Sequence, residues 1–154
     1  MNLTLPLLDD AGSPIKLDIA DPYLLPITVQ PADIDSQGHV NNAVYVQWMD
    51  AAAWANSVAV GYDHAKYQSL GSAFVVRRHE IDYLQPAYEG QQLVVATWPC
   101  AMVRFNAMRR HQIIRLSDGV TLARAMTQWI YLDTKTGKPR RMEPELIDAF
   151  RPRE

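Results

Sequence analysis

Apolar positions crowd the stretch from Asn42 to Val60, and the polar Gln47, Asp50 and Ser57 recur there at helical spacing. This predicts a helix buried on most of its sides, with a narrow strip toward water. Asn41 or Asn42 suits its N-cap, because a short amide accepts a hydrogen bond from the unpaired N–H groups of a first turn, and Gly61 suits its far end. Ala51, Ala52, Ala55 and Ala59 read as one small-residue face along which the helix lies close to a sheet. From Phe74 onward the pattern becomes strand-like, over Phe74–Leu84, Gln92–Trp98, Val103–Arg115 and Thr121–Leu132. Pro86–Gly90, Pro99-Cys100 and Ser117-Asp118-Gly119 break these runs, and connections this short favour antiparallel neighbours. Tyr23–Val29 predicts an earlier strand, and Glu145–Phe150 a short closing helix. The expected class is α+β, a curved antiparallel sheet wrapped around one long central helix. Residues 1–22, with turn signals at Gly12-Ser13-Pro14 and Asp21-Pro22, form a leader of loops or a small hairpin, and 23–154 form the domain.

Composition narrows the class of partner. Fifteen Lys and Arg against seventeen Asp and Glu give a formal charge of −2, which predicts neither a broad basic face for nucleic acid nor an acidic tail. With 48% hydrophobic residues the chain has the mass for one core, and no apolar run approaches the ~20 residues that span a bilayer. The single Cys100 forms no internal disulfide, and the start has no basic residue ahead of an apolar stretch cut by Pro6, so the cytoplasm is the expected compartment. The four histidines lack paired ligand spacing, phosphate-cradling and nucleophile-elbow motifs are absent, and no metal or cofactor is expected.

Chemistry concentrates in Asp33-Ile34-Asp35-Ser36-Gln37-Gly38-His39-Val40-Asn41-Asn42, directly before the helix. A helix N-terminus offers unpaired N–H groups and partial positive charge, which stabilise a developing oxyanion. A carboxylate just upstream can attack an acyl carbon or deprotonate water, and His39 can orient the attacker or exchange a proton. The plainer account makes Asp33, Asp35 and Asn41 turn and cap residues and His39 a filler of a polar turn. Asp50 is a rival carboxylate that the helical pattern assigns to the solvent strip.

The run Asp35-Ser36-Gln37-Gly38-His39-Val40-Asn41-Asn42-Ala43-Val44-Tyr45, with Trp48 soon after, resembles the signature of hotdog-fold acyl-CoA thioesterases of the 4-hydroxybenzoyl-CoA thioesterase type. It is similar also to bacterial long-chain acyl-CoA thioesterases and plant acyl-ACP thioesterases. Ile81–Ala87 with Gly90, and Asp133–Pro139, extend the likeness over most of Tyr23–Phe150. The resemblance implies a hotdog fold and hydrolysis of an acyl-CoA or acyl-ACP thioester, with Asp35 as nucleophile or general base and Asp33 supporting it. It implies that the Asn42 backbone N–H holds the oxyanion, while Gln37 and His39 stand where the plant relatives carry an asparagine and a histidine; the longer glutamine is a departure. It further implies a homodimer or a dimer of dimers, a role in fatty acid metabolism, and an acyl chain running beside the helix.

Tyr45, Trp48 and Trp54 are candidates to line an acyl pocket, although aromatics on a buried helix also serve as core. Coenzyme A is a polyanion, and Arg77, Arg78, Arg104, Arg109, Arg110, Arg140 and Arg141 are candidates to meet its phosphates. Strand alternation puts Arg104 and Arg110 on one face with Asn106 and Met108, and Arg109 on the other with Phe105 and Ala107; Arg104 is the expected substrate contact. The alternatives are a non-catalytic acyl-CoA-binding module and a hydratase or dehydratase acting on acyl thioesters, which would use His39 with an acid.

Overall fold

The computed structural model describes residues 3–154; Met1 and Asn2, the first residues of the predicted leader, lie outside the described residues. Five strands form one antiparallel sheet: β1 (Tyr23–Thr28), β2 (Ser72–Tyr83), β3 (Gln92–Val103), β4 (Asn106–Arg115) and β5 (Thr121–Asp133), in the spatial order β1-β3-β4-β5-β2. The long helix α1 (Asn42–Ala59) packs on one face; α2 (His64–Leu70) leads into β2, and α3 (Pro144–Phe150) follows the sheet. This is the expected α+β arrangement of a curved sheet around a central helix.

Asn41 caps α1 through its Oδ1, which accepts the Ala43 N–H at 2.9 Å. Tyr45, Trp48, Met49 and Ala52 bury one face of α1 against Leu93, Val95 and Ile113 of the sheet. The other helix face differs from the pattern reading. Ala51 and Ala59 are exposed, Trp54 and Val58 are each 46% exposed, and Ser57 is buried. Ser57 leaves the predicted solvent strip because the Tyr62–Leu70 segment folds over it. Its Oγ donates to the Tyr62 carbonyl oxygen at 2.6 Å and shares a hydrogen bond with the Tyr67 hydroxyl at 2.8 Å. The helix α2 in that segment has no counterpart in the pattern reading.

Pro99-Cys100 is not a break. β3 continues through it to Val103 with a register shift between Pro99 and Ala101. A proline fits there because β1 accompanies β3 only as far as Thr97, so no ladder hydrogen bond is demanded of Pro99 on that side. The predicted strand from Val103 also divides: Arg104 and Phe105 make the β3–β4 turn, with Arg104 at φ 58°. The described part of the leader covers the sheet face opposite α1, burying Leu7 and Ile15 against Val94 and Ile114. β2 forms one edge of the sheet, with Val75 and Val76 exposed. Among the described residues no helix is long and apolar enough to cross a membrane.

Candidate active site

The loop between β1 and α1 is held by its own backbone. Asp33 closes a 3-10 turn over Pro31–Asp33 and accepts the Gln30 N–H on Oδ2 at 2.8 Å, while the Asn41 N–H donates to its carbonyl at 2.9 Å. That carboxylate is occupied as a brace. A two-sided turn follows: the Asp35 N–H donates to the His39 carbonyl and the Gly38 N–H to the Asp35 carbonyl, each at 3.0 Å, and Ile34 bridges Val40. Gly38 sits at φ +83°, a backbone region that other residues enter only with strain. The half-buried Asp35 accepts the Gln37 N–H on Oδ1 at 2.8 Å, an Asx turn that leaves Oδ2 without a partner among the described residues. Across the turn, His39 places Nδ1 3.3 Å from the Val40 carbonyl oxygen. A carbonyl oxygen only accepts, so this weak contact calls for a hydrogen on Nδ1.

The first turn of α1 follows directly. Asn41 takes the Ala43 N–H on its side chain and the Val44 N–H on its carbonyl at 2.9 Å, while the exposed Asn42 N–H has no partner among the described residues. The Tyr83 hydroxyl, at the end of β2, donates to the Asn42 carbonyl oxygen at 2.9 Å. Tyr45 packs edge-on beneath it, with ring centroids 5.2 Å apart, and burial pushes the Tyr45 phenol above its ordinary range. Val40 is anchored to the next loop, its N–H donating to the carbonyl of fully buried Ala87 at 2.9 Å.

A cavity of about 610 Å³ opens beside the second half of α1, within the size range of small-molecule pockets. Its wall is aromatic, with Trp54, Tyr67, Phe74, Trp129 and Phe150, and Asp50 and Arg109 also border it. Arg109 is only 6% exposed. Its Nη1 donates to Asn56 Oδ1 at 3.0 Å and Thr97 Oγ1 at 3.2 Å, and its guanidinium carbon lies 5.8 Å from the centroid of the Phe150 ring. Burial lowers its pKa to about 10, with Tyr67 and Cys100 opposing. Next along the same strand face, His111 is held well below the usual imidazole range by burial, then by the charge of Arg109 and by His79.

The sequence-predicted residues therefore divide. Asp35, Gln37, His39 and Asn42 come together in the turn and first helical turn, with Tyr45 and Trp48 in the core behind them. Arg104 does not join them. It occupies the β3–β4 turn, where its carbonyl accepts the Met142 N–H at 2.7 Å, whereas the loop that carries Asp35 adjoins the opposite end of β3 through the Gln91 carbonyl and Val29 N–H. The cavity is bordered by none of Asp35, His39 and Asn42 but by Asp50, about 12 Å farther along α1 at 1.5 Å per residue. Tyr83 has no signal of a site role in the sequence beyond its place in the Ile81–Ala87 stretch of likeness. Arg109 is one of the seven arginines named as candidate phosphate contacts, but strand alternation alone does not single it out as the enclosed one. Among the described residues no group of three or more His, Cys, Asp or Glu is placed to hold a metal ion.

The sequence model of the thioesterase-like superfamily matches residues 29–150. The chain belongs to this family. The match takes in the Asp35–Asn42 turn, α1, the cavity and all strands except β1. Among relatives, the chain is 30% identical over 120 residues to the L-carnitine dehydrogenase/betainyl-CoA thioesterase of Agrobacterium fabrum, aligning over 76% of this chain but spanning only 24% of that protein's length. It is 28% identical over 126 residues to the long-chain acyl-CoA thioesterase FadM of Escherichia coli, covering 80% of this chain and 93% of that one. The fold is shared with the 1,4-dihydroxy-2-naphthoyl-CoA thioesterase Slr0204 of Synechocystis, at 20% identity and a TM-score of 0.77, over 84% of this chain and 96% of that one.

Proposed function

We propose that this thioesterase-like protein hydrolyses acyl-CoA thioesters to a free acid and coenzyme A, with Asp35 as the acting carboxylate. The observation that carries the reading is the half-buried Asp35, one oxygen braced by the Gln37 N–H and the other free, in a turn that opens directly onto the unpartnered Asn42 N–H. A thioester carbonyl held at that amide would have its developing oxyanion met by the N–H and by the positive end of α1. Asp35 then attacks the acyl carbon, giving a mixed anhydride that water opens, or it takes a proton from water that attacks instead; either way the thiolate leaves and is protonated. His39 serves by orienting the attacking group, and Gln37 by contacting substrate. A positioned base contributes about 10²–10⁴-fold and an oxyanion donor about 10²–10³-fold, so this pair needs no further group to account for substantial acceleration.

Two further assignments belong to this reading. The working unit is a homodimer or a dimer of dimers, supported by the β2 edge with its exposed Val75 and Val76 and by the half-exposed Trp54 and Val58 of α1. Asp50 is the one rival for the acting carboxylate, favoured by its place on the cavity. Release of thiol from acyl-CoAs of short, aromatic and long acyl groups tests the reaction. Parallel assays of Asp35→Asn and Asp50→Asn test the assignment: the first should lower turnover by about 10²-fold or more and the second should not.

A further inference from the structure

The cavity beside α1 is walled by rings, yet a guanidinium ends in it. Arg109 is more than nine-tenths buried, and its partners are neutral: Asn56 Oδ1, Thr97 Oγ1 and the face of Phe150. Among the described residues no carboxylate pairs with it, and Nε and Nη2 carry no hydrogen bond. The neighbouring His111 is buried and neutral and supplies no counter-charge. Asp50 shares the cavity border but is exposed on α1 and makes no ion pair with Arg109.

A buried cation without a counter-ion is expensive, and a pocket meant only for hydrocarbon would be better served by Met or Leu at this position. The arrangement makes sense when the ligand completes the pair, because guanidinium binds carboxylate with two parallel hydrogen bonds and that match is strongest where water is excluded. We infer that Arg109 is a specificity-determining residue that receives a carboxylate at the far end of the acyl group, so that the preferred substrates are ω-carboxyacyl thioesters. This rests on the thioesterase reading. The aromatic wall takes the methylenes, and Phe150 backs the guanidinium. The same cation disfavours a quaternary ammonium group, which the aromatic rings alone would attract. Arg109 is bonded to Asn56, fourteen residues and about 21 Å along α1 from Asn42, so a single chain would need a long acyl group to reach both. A preference for short acyl groups would instead mean that the cavity serves the loop of a second copy.

The test uses the intact protein and CoA monothioesters of octanedioic, dodecanedioic and hexadecanedioic acids, each beside its methyl-ended counterpart, with betainyl-CoA as the cationic comparison. At the best length, kcat/KM for the ω-carboxy substrate should exceed that for its methyl-ended counterpart by about tenfold or more. Arg109→Leu should invert that ratio, and Arg109→Lys should restore part of it. Preference of the unaltered protein for methyl-ended or betainyl substrates, or a ratio insensitive to Arg109→Leu, overturns the inference. Hydrolysis of none of the substrates defeats the thioesterase reading instead. A binding measurement then decides the role of Arg109: octanoate should raise Tm more than 1-octanol does in the unaltered protein, and equal shifts overturn the inference.

Discussion

The Tyr83 hydroxyl donates to the Asn42 carbonyl oxygen at 2.9 Å and so ties the last residue of β2 to the first residue of α1. The sheet edge and the proposed oxyanion amide are thereby fixed to one another. Tyr83→Phe removes only the hydroxyl and keeps the ring contact with Tyr45, so stability should fall by no more than about 1 kcal/mol. Turnover should fall several-fold with KM nearly unchanged. Steady-state kinetics beside thermal melts check this, and an equal loss in both would reduce the bond to a structural one.

Replacing Asp35 by Asn keeps the side-chain oxygen that accepts the Gln37 N–H, so the turn should persist while the base is lost. The expected outcome is about 10²-fold or greater loss of kcat with an unchanged melting temperature. His39→Ala should cost less. If Asp50→Asn is the more damaging change, the acting carboxylate lies on the cavity instead.

Gly38 at φ +83° lets the turn close between Asp35 and His39, and a Cβ there would meet nothing within 4 Å. Gly38→Ala therefore carries backbone strain without a clash, about 1 kcal/mol in denaturant melts. Because that strain falls between Asp35 and His39, kcat should drop by more than the small stability change accounts for.

Tyr131 is fully buried, its hydroxyl donating to Glu143 Oε2 and hydrogen-bonded to the Ser72 hydroxyl, each at 2.7 Å. Burial pushes its pKa up to about 12 from an ordinary 10.0, although hydrogen bonding to Ser72 pulls it down. The native state thus keeps a proton that the unfolded chain loses between those values, so this contribution is whole below pH 10 and disappears as pH rises through 12. Chemical denaturation across that window should show stability falling with pH, and Tyr131→Phe should flatten the slope.

If β2 is the pairing edge, a charge on it should separate the copies. Val75→Glu is expected to shift the mass measured by light scattering toward the monomer with little loss of helical signal. An unchanged mass would move the interface elsewhere.

Much of this protein is legible in local pattern. The apolar density of Asn42–Val60, the Asn41 cap and the strand-like runs each reflect constraints between residues close in sequence, and the structure places α1 and the strands within a few residues of the expected bounds. The Asp35–Asn42 cluster is legible for the same reason: its turn is closed by hydrogen bonds between residues at most eight positions apart. Where the reading went astray, a distant segment intervened. Ser57 is buried by Tyr67, Pro99 is tolerated because the pairing of β3 with β1 stops at Thr97, and Arg104 is carried to a turn remote from the loop of Asp35.

Local order along the chain thus set the elements and the chemistry before α1, since both depend on neighbours in sequence. Only the tertiary structure decided that Arg109, rather than Arg104 or Arg110, is enclosed beneath α1 beside an aromatic cavity. Alternation along a strand says which residues share a face, but which face is sealed from water depends on the helix laid across it, and Asn56, fifty-three positions away, makes that contact.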